Sequence, residues 1–237
     1  MSFSSWFMRI DRYASVHAVR SQDTITDNAG ADRSNSCGIA SILMVNFKQK
    51  KHLMVAGLSA GANIASSGTP LGTFIGGTLA RAAVANAVKE EPEIYRIYSA
   101  VTGSTYDGST YSVAGQFPEV LRRLGLGSWE RVFVAETDVY TSVKTAVDKG
   151  DPVIARVAWN GGGAHFVVID QVHTTSGGGK LCVCDPWDGE LRLVDGAAST
   201  VTNYDPTGFV WSFSLGGNRH AYTSGAGKFS GCIVRKV

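Results

Sequence analysis

Strong charge of either sign is missing from this chain. Lys and Arg number 22 against 20 Asp and Glu, a formal net charge of +2. That balance offers nothing to a polyanion, so no nucleic-acid partner is expected. Cysteine is scarce as well: Cys37, Cys182, Cys184 and Cys232 are the four. They do not form the pattern of a disulfide scaffold, and folding in a reducing compartment is the simpler expectation. The N-terminus, Met-Ser-Phe-Ser-Ser-Trp-Phe-Met-Arg, is too short and polar for a secretory signal. The chain is therefore expected to be cytoplasmic as synthesised, although export through a specialised secretion system would leave no such mark. Internal repeats and nucleotide fingerprints are absent, and Gly216-Gly217-Asn218 matches no phosphate loop. Cys182-x-Cys184 can bind metal in principle, but no second ligand cluster has the spacing. No metal and no cofactor are expected.

A clean apolar run is also lacking. The most apolar stretch, 55–88, is Gly/Ala-rich with several glycines four apart, but Asn63, Ser66, Ser67, Pro70 and Arg81 interrupt it. It makes a poor spanning helix, and membrane contact is not expected. It reads as a mobile insertion running into a helix near Thr78 to Val88. With 44% hydrophobic residues over 237 positions, the chain can bury one core, and a single domain over 1–237 carrying this insertion is expected.

What the chain does have is a grouping of chemistry-bearing residues. Cys37 stands at the head of Asn-Ser-Cys-Gly-Ile-Ala-Ser-Ile-Leu-Met, after a polar loop and before an apolar helical run. Backbone N–H groups and the helix dipole favour an anion there, as a nucleophilic thiolate requires. The helix is expected over 37–50, ending in the basic cluster Lys48 to Lys51. Helices are also expected over 92–101, 117–124 and 139–148, and strands over 129–134, 152–159, 191–194, 209–215 and 232–237. Residues 1–34 read as a mostly extended lead.

His165 opens the apolar strand Phe166 to Val172, and Asp185 closes the returning strand from Leu181. Pairing centred on Thr175 puts His165 and Asp185 directly opposite; a centre at Ser176 leaves them diagonal on one face. A carboxylate there fixes the imidazole tautomer and supports the imidazolium. Asp188 is a rival acid, but Pro186 and Trp187 turn the chain away first. Asp170 falls on the opposite strand face, and His17, His52, His173 and His220 have no acid partner at useful spacing. Gly161 to Gly163 give bare backbone beside the site, and Trp159 and Trp187 flank it.

The order Cys, His, Asp, with Asn-x-Cys-Gly, Ala-His-Phe-Val-Val-Ile and Asp-Pro-Trp, resembles the papain-like cysteine peptidase superfamily. Within it the look is nearest to the bacterial branch of bacteriocin-leader-processing peptidases. The matching segments run from Cys37 to about Lys50 and from about Phe117 to Asp188. The resemblance implies an α+β, papain-like fold with the nucleophile helix packed on an antiparallel sheet. It also implies Cys37 as nucleophile, His165 as general base and acid, and Asp185 as the orienting residue, acting on a peptide or protein substrate. A bacterial secreted effector or toxin fits that pattern.

Such enzymes carry a glutamine about six residues before the cysteine, where this chain has Ala31. Gln22 is the preferred substitute as oxyanion donor beside the Cys37 N–H, with Asn28 and Asn35 as alternatives. The same design also serves peptidoglycan amidases, deamidases and transglutaminase-like acyl transferases. A papain-fold binding module with weakened catalysis is the non-enzymatic alternative.

Overall fold

Among the described residues every strand pairing is antiparallel. The computed structural model describes residues 6–22, 35–87, 89, 91–206 and 225–237. β1 (Trp6–Ile10) and β2 (Val16–Arg20) make an N-terminal hairpin. The larger sheet runs in the order β3 (Trp129–Phe133), β9 (Gly227–Lys236), β4 (Val153–Trp159), β5 (Ala164–Thr175), β6 (Gly178–Asp185), β7 (Glu190–Gly196), with β8 (Asn203–Tyr204) also on β9.

Alternation along β4 and β5 sends Ile154, Phe166 and Val168 to one face and Ala155, Val167 and Ile169 to the other. Helices cover both faces, which is why β5 reads as an unbroken apolar run. On the first face lie α1 (Cys37–Ala65), α3 (Glu91–Thr102) and α4 (Phe117–Arg123); on the second lies α5 (Val139–Val147). A long helix beginning at Cys37 and packed on an antiparallel sheet is an α+β arrangement.

Most elements fall within a few residues of their expected places. The strand expected at 209–215 lies outside the described residues. One difference is large: α1 does not stop at the basic cluster but continues to Ala65. The lysines are engaged sideways rather than capping a helix end. Lys48 pairs with Asp170, and Lys50 donates to the Leu124 carbonyl (3.0 Å) and Asn86 (3.2 Å). After the turn at 66–69 the chain returns as α2 (Pro70–Ala87) along α1. The stretch expected to be a mobile insertion is therefore a helical hairpin. Its glycines permit close approach: a Cβ on Gly61 would lie 2.5 Å from the Gly76 carbonyl oxygen.

The N-terminal hairpin is a clamp rather than a plain extended lead. Buried Arg9 donates to the Gly189 carbonyl (3.0 Å) and pairs with Glu190 (3.2 Å), holding the β6–β7 turn. Arg20 pairs with Glu91 of α3 (3.1 Å), and the Gln22 N–H donates to the Pro186 carbonyl (2.6 Å).

Candidate active site

Cys37 is the first residue of α1. The Ala40 N–H donates to the Ser36 carbonyl (3.0 Å), so the helical ladder begins there and the Cys37 N–H lies outside it. Ser36 precedes the helix but does not cap it; its hydroxyl bonds the Tyr95 hydroxyl of α3. No acidic residue stands in the first turn. The positive end of the helix dipole is thus left to the Cys37 side chain. Tyr106 also pins the entering loop, with its hydroxyl 3.1 Å from the Asn35 carbonyl. The residue after the cysteine is confined to glycine by packing, since a Cβ on Gly38 would lie 2.1 Å from Ser112 Oγ and 2.5 Å from the Phe117 ring.

The β5–β6 hairpin brings His165 and Asp185 together. Pairing from Thr175↔Gly178 back to Gln171↔Cys182 shifts by one residue at Asp170, so Val168 faces Cys184. That bulge produces the diagonal of the two registers considered for the pair. His165 Nε2 lies 2.7 Å from Asp185 Oδ1, and Cys37 is near enough for its hydrogen bond and charge to act on the imidazole. Cys37 and His165 are both buried.

Burial works against a charged His165, but the charge and hydrogen bond of Asp185, followed by those of Cys37, prevail and push its pKa up to about 10. Burial likewise penalises the Asp185 carboxylate, yet His165 and Arg192 hold it well below the usual range. Asp185 Oδ1 also accepts the Trp187 N–H (2.9 Å); Oδ2 accepts from Arg192 (3.2 Å) and the Tyr204 hydroxyl. The Asp188 carboxylate receives both terminal nitrogens of Arg192 (3.0 and 2.6 Å). It acts at one remove from His165, through the guanidinium it shares with Asp185. Trp159 stacks on the imidazole with ring centroids 5.8 Å apart. Gly162 and Gly163, at φ 92° and 84°, make the β4–β5 turn that delivers His165 to this position.

Of the oxyanion candidates, Gln22 is fully buried and tied to the segment just after Asp185. Asn35 directs its amide N–H to the Ser109 carbonyl (3.1 Å). Asn28 lies outside the described residues, as does His220.

A second cluster corrects the sequence reading of the other histidines. His17 and His173 do have acid partners, supplied by tertiary contact. His17 Nδ1 lies 2.8 Å from Asp170 and its Nε2 3.2 Å from Asp11, while His173 Nε2 lies 2.6 Å from Asp11. Cys182 and Cys184 join it at 3.5 Å from Asp11 and 3.7 Å from Asp170. Burial opposes the charged His17, but Asp170 and the two cysteines raise its pKa to about 12. Lys48 stays cationic beside Asp170 despite burial. Two groups here, Asp11 with His17 and Cys182, and His17 with Asp170 and Cys184, bring ligand atoms within 4.8 Å of one another, close enough to hold a metal ion. Spacing along the chain hid them because the partners come from β2, β5, β6 and the β1–β2 turn. Protonated His17 and Lys48 against ionised Asp11 and Asp170 also balance without a metal.

No protein-family model matches this chain, and no curated protein sequence is significantly similar to it.

Proposed function

We propose that the protein is a cysteine hydrolase of papain-like design, a peptidase or amidase acting through Cys37, His165 and Asp185. The observation that carries this reading is His165 held by Asp185 beside a cysteine at the uncapped start of a buried helix. Cys37 Sγ, its proton held by His165, attacks the amide carbonyl carbon, and the C=O pair moves onto oxygen. The Cys37 N–H and the Gln22 amide donate to that oxyanion. Collapse of the intermediate breaks the C–N bond, and His165 gives its proton to the leaving amine. Water, losing a proton to His165, then attacks the thioester; the acid departs and the thiol is restored. Asp185 keeps the ring oriented throughout, itself fixed by Arg192, Trp187 and Tyr204.

The test is a digest of mixed peptides, cell-wall muropeptides and glutamine-containing proteins by wild type and Cys37→Ala, read by mass spectrometry. Hydrolysis of one class by wild type alone supports the reading and names the substrate. Glutamine-to-glutamate conversion or amine incorporation would instead move the assignment to a deamidase or a transglutaminase-like acyl transferase. No Cys37-dependent product in any class overturns it and favours a binding module.

A further inference from the structure

The α1–α2 hairpin is built for a low-dielectric surrounding. From residue 53 to residue 80 the chain carries no Asp, Glu, Lys, Arg or His. Large apolar side chains stand in solvent on both arms: Leu53, Val55 and Leu58 on α1, and Leu71, Phe74 and Leu79 on α2, with Phe74 72% and Leu71 68% exposed. At about 100° per residue, Val55 and Leu58 share one side of α1, whereas Leu53 lies roughly 140–160° round from them. A partner copy would cover one stripe, whereas a lipid phase covers every side.

The two arms meet through small residues, Gly57 against Ala83 and Gly61 against Gly76 and Ala80. Close backbone packing of that kind needs no water-driven burial.

Three hydroxyls of the hairpin are turned back on its own backbone. Ser66 Oγ donates to the Asn63 carbonyl (2.7 Å), Thr73 Oγ1 to Thr69 (3.1 Å) and Thr78 Oγ1 to Phe74 (2.8 Å). At the tip the Gly72 N–H donates to Thr69 Oγ1 (3.0 Å), and Ser66 N–H to the Ala62 carbonyl (2.9 Å). Internal satisfaction is what hydrocarbon demands of a turn.

Charge returns only at the base of the hairpin, and there it is basic. Lys51, His52 and Arg81 are all exposed. Beside them lies an apolar groove of about 580 Å³ between α1 and the N-terminal hairpin, lined by Met8, Val16 and Phe47, with Lys51 and His52 at its edge. No single helix among the described residues is long and apolar enough to cross a membrane. The uncharged part of α1, residues 53–65, is ~20 Å long, against ~15 Å for the hydrocarbon of one leaflet.

We propose that the α1–α2 hairpin inserts into one leaflet of an anionic bilayer, with Lys51, His52 and Arg81 seated among the headgroups. The active-site end of α1 then remains in water at the membrane surface.

Flotation of the full chain with phosphatidylcholine vesicles, with and without about one-third phosphatidylglycerol, tests this. Wild type is expected to float with the anionic vesicles, more weakly as salt rises. Leu71→Asp with Phe74→Asp should lower partition about 100-fold, and Lys51→Glu with Arg81→Glu roughly tenfold. Unchanged circular dichroism and melting keep those losses interpretable. Phe74→Trp adds a measurement on a conservative variant, whose added fluorescence should be quenched by bromine on the lipid acyl chains. No flotation, flotation untouched by the Asp pair, or absence of that quenching overturns the proposal. A dimer that forms without vesicles and is lost in the Asp variant, with no flotation, overturns it in favour of a second copy. The readout is vesicle binding alone, so it is independent of the chemistry at Cys37.

Discussion

Two buried histidines in this protein each have carboxylate and thiol neighbours, and only one of them lies beside the start of a helix. His165 has Asp185 and Cys37, the latter at the uncapped N-terminus of α1. His17 has Asp170 and Asp11 on its two nitrogens, with Cys182 and Cys184 on mid-strand positions of β6 beside it. The two places use the same residue types, and both push histidine well above its usual pKa. Their difference is placement. Cys37 combines a helix dipole with a backbone N–H outside the helical ladder, while Cys182 and Cys184 sit mid-strand in the core with Lys48 alongside. A perturbed pKa therefore marks an ion network as readily as a reactive centre, and the backbone around the sulfur separates the two.

Substitution should split these roles cleanly. Cys37→Ala and His165→Ala are expected to cut turnover at least about 1,000-fold, with melting nearly unchanged in Cys37→Ala. His17→Ala should do the reverse. It leaves Asp11 and Asp170 facing each other in the interior, at a cost of about 3–5 kcal/mol in denaturant unfolding. Turnover by its folded fraction in the cold should stay within a few-fold of wild type. A His17→Ala protein that is stable but inactive would erase the distinction between the two clusters.

Gln22→Ala is expected to lower turnover about 100-fold or more as an oxyanion donor is lost. Asn35→Ala removes one exposed hydrogen bond, worth about 1 kcal/mol at most, and should leave turnover close to wild type. Equal effects in steady-state kinetics would remove Gln22 from the site.

The smallest expected effect is on pH-dependent stability. His17 is raised from 6.5 to about 12, so its contribution is full below 6.5 and is lost as pH climbs towards 12. Asp11 is lowered from 3.8 to about 2, so its contribution is full above 3.8 and fades as pH falls towards 2. Melting temperature should decline on both sides of that window. His165, raised to about 10, shares the alkaline limb below that pH, so His17→Gln should flatten mainly the part above about 10, and an unaltered limb there would contradict the ion network.

The hairpin that pairs His165 with Asp185 was legible in the sequence because its two strands are consecutive in the chain and joined by a glycine-containing turn. Only the bulge at Asp170, which selects the diagonal register, was not. The His17 network was invisible because it is tertiary, assembling the β1–β2 turn and β2 with β5 and β6 across more than 150 positions. The end of α1 was misplaced for a related reason: a lysine cluster signals a helix terminus only when its amines have no partners farther away, and Lys48 and Lys50 have them. The four-residue spacing of the glycines in this stretch is that of close-packed helix faces, and Gly57, Gly61 and Gly76 are contact points of the α1–α2 hairpin, although the stretch as a whole reads as a mobile insertion.

The central claim is that Cys37 is the activated thiol of the four. Alkylation by iodoacetamide, followed against pH and mapped by mass spectrometry in wild type and His165→Ala, tests it most directly. The account predicts rapid labelling of Cys37 persisting well below the ordinary thiol range and lost in His165→Ala, with Cys182 and Cys184 inert in both. Slow labelling of Cys37 with the same profile in both proteins would contradict it.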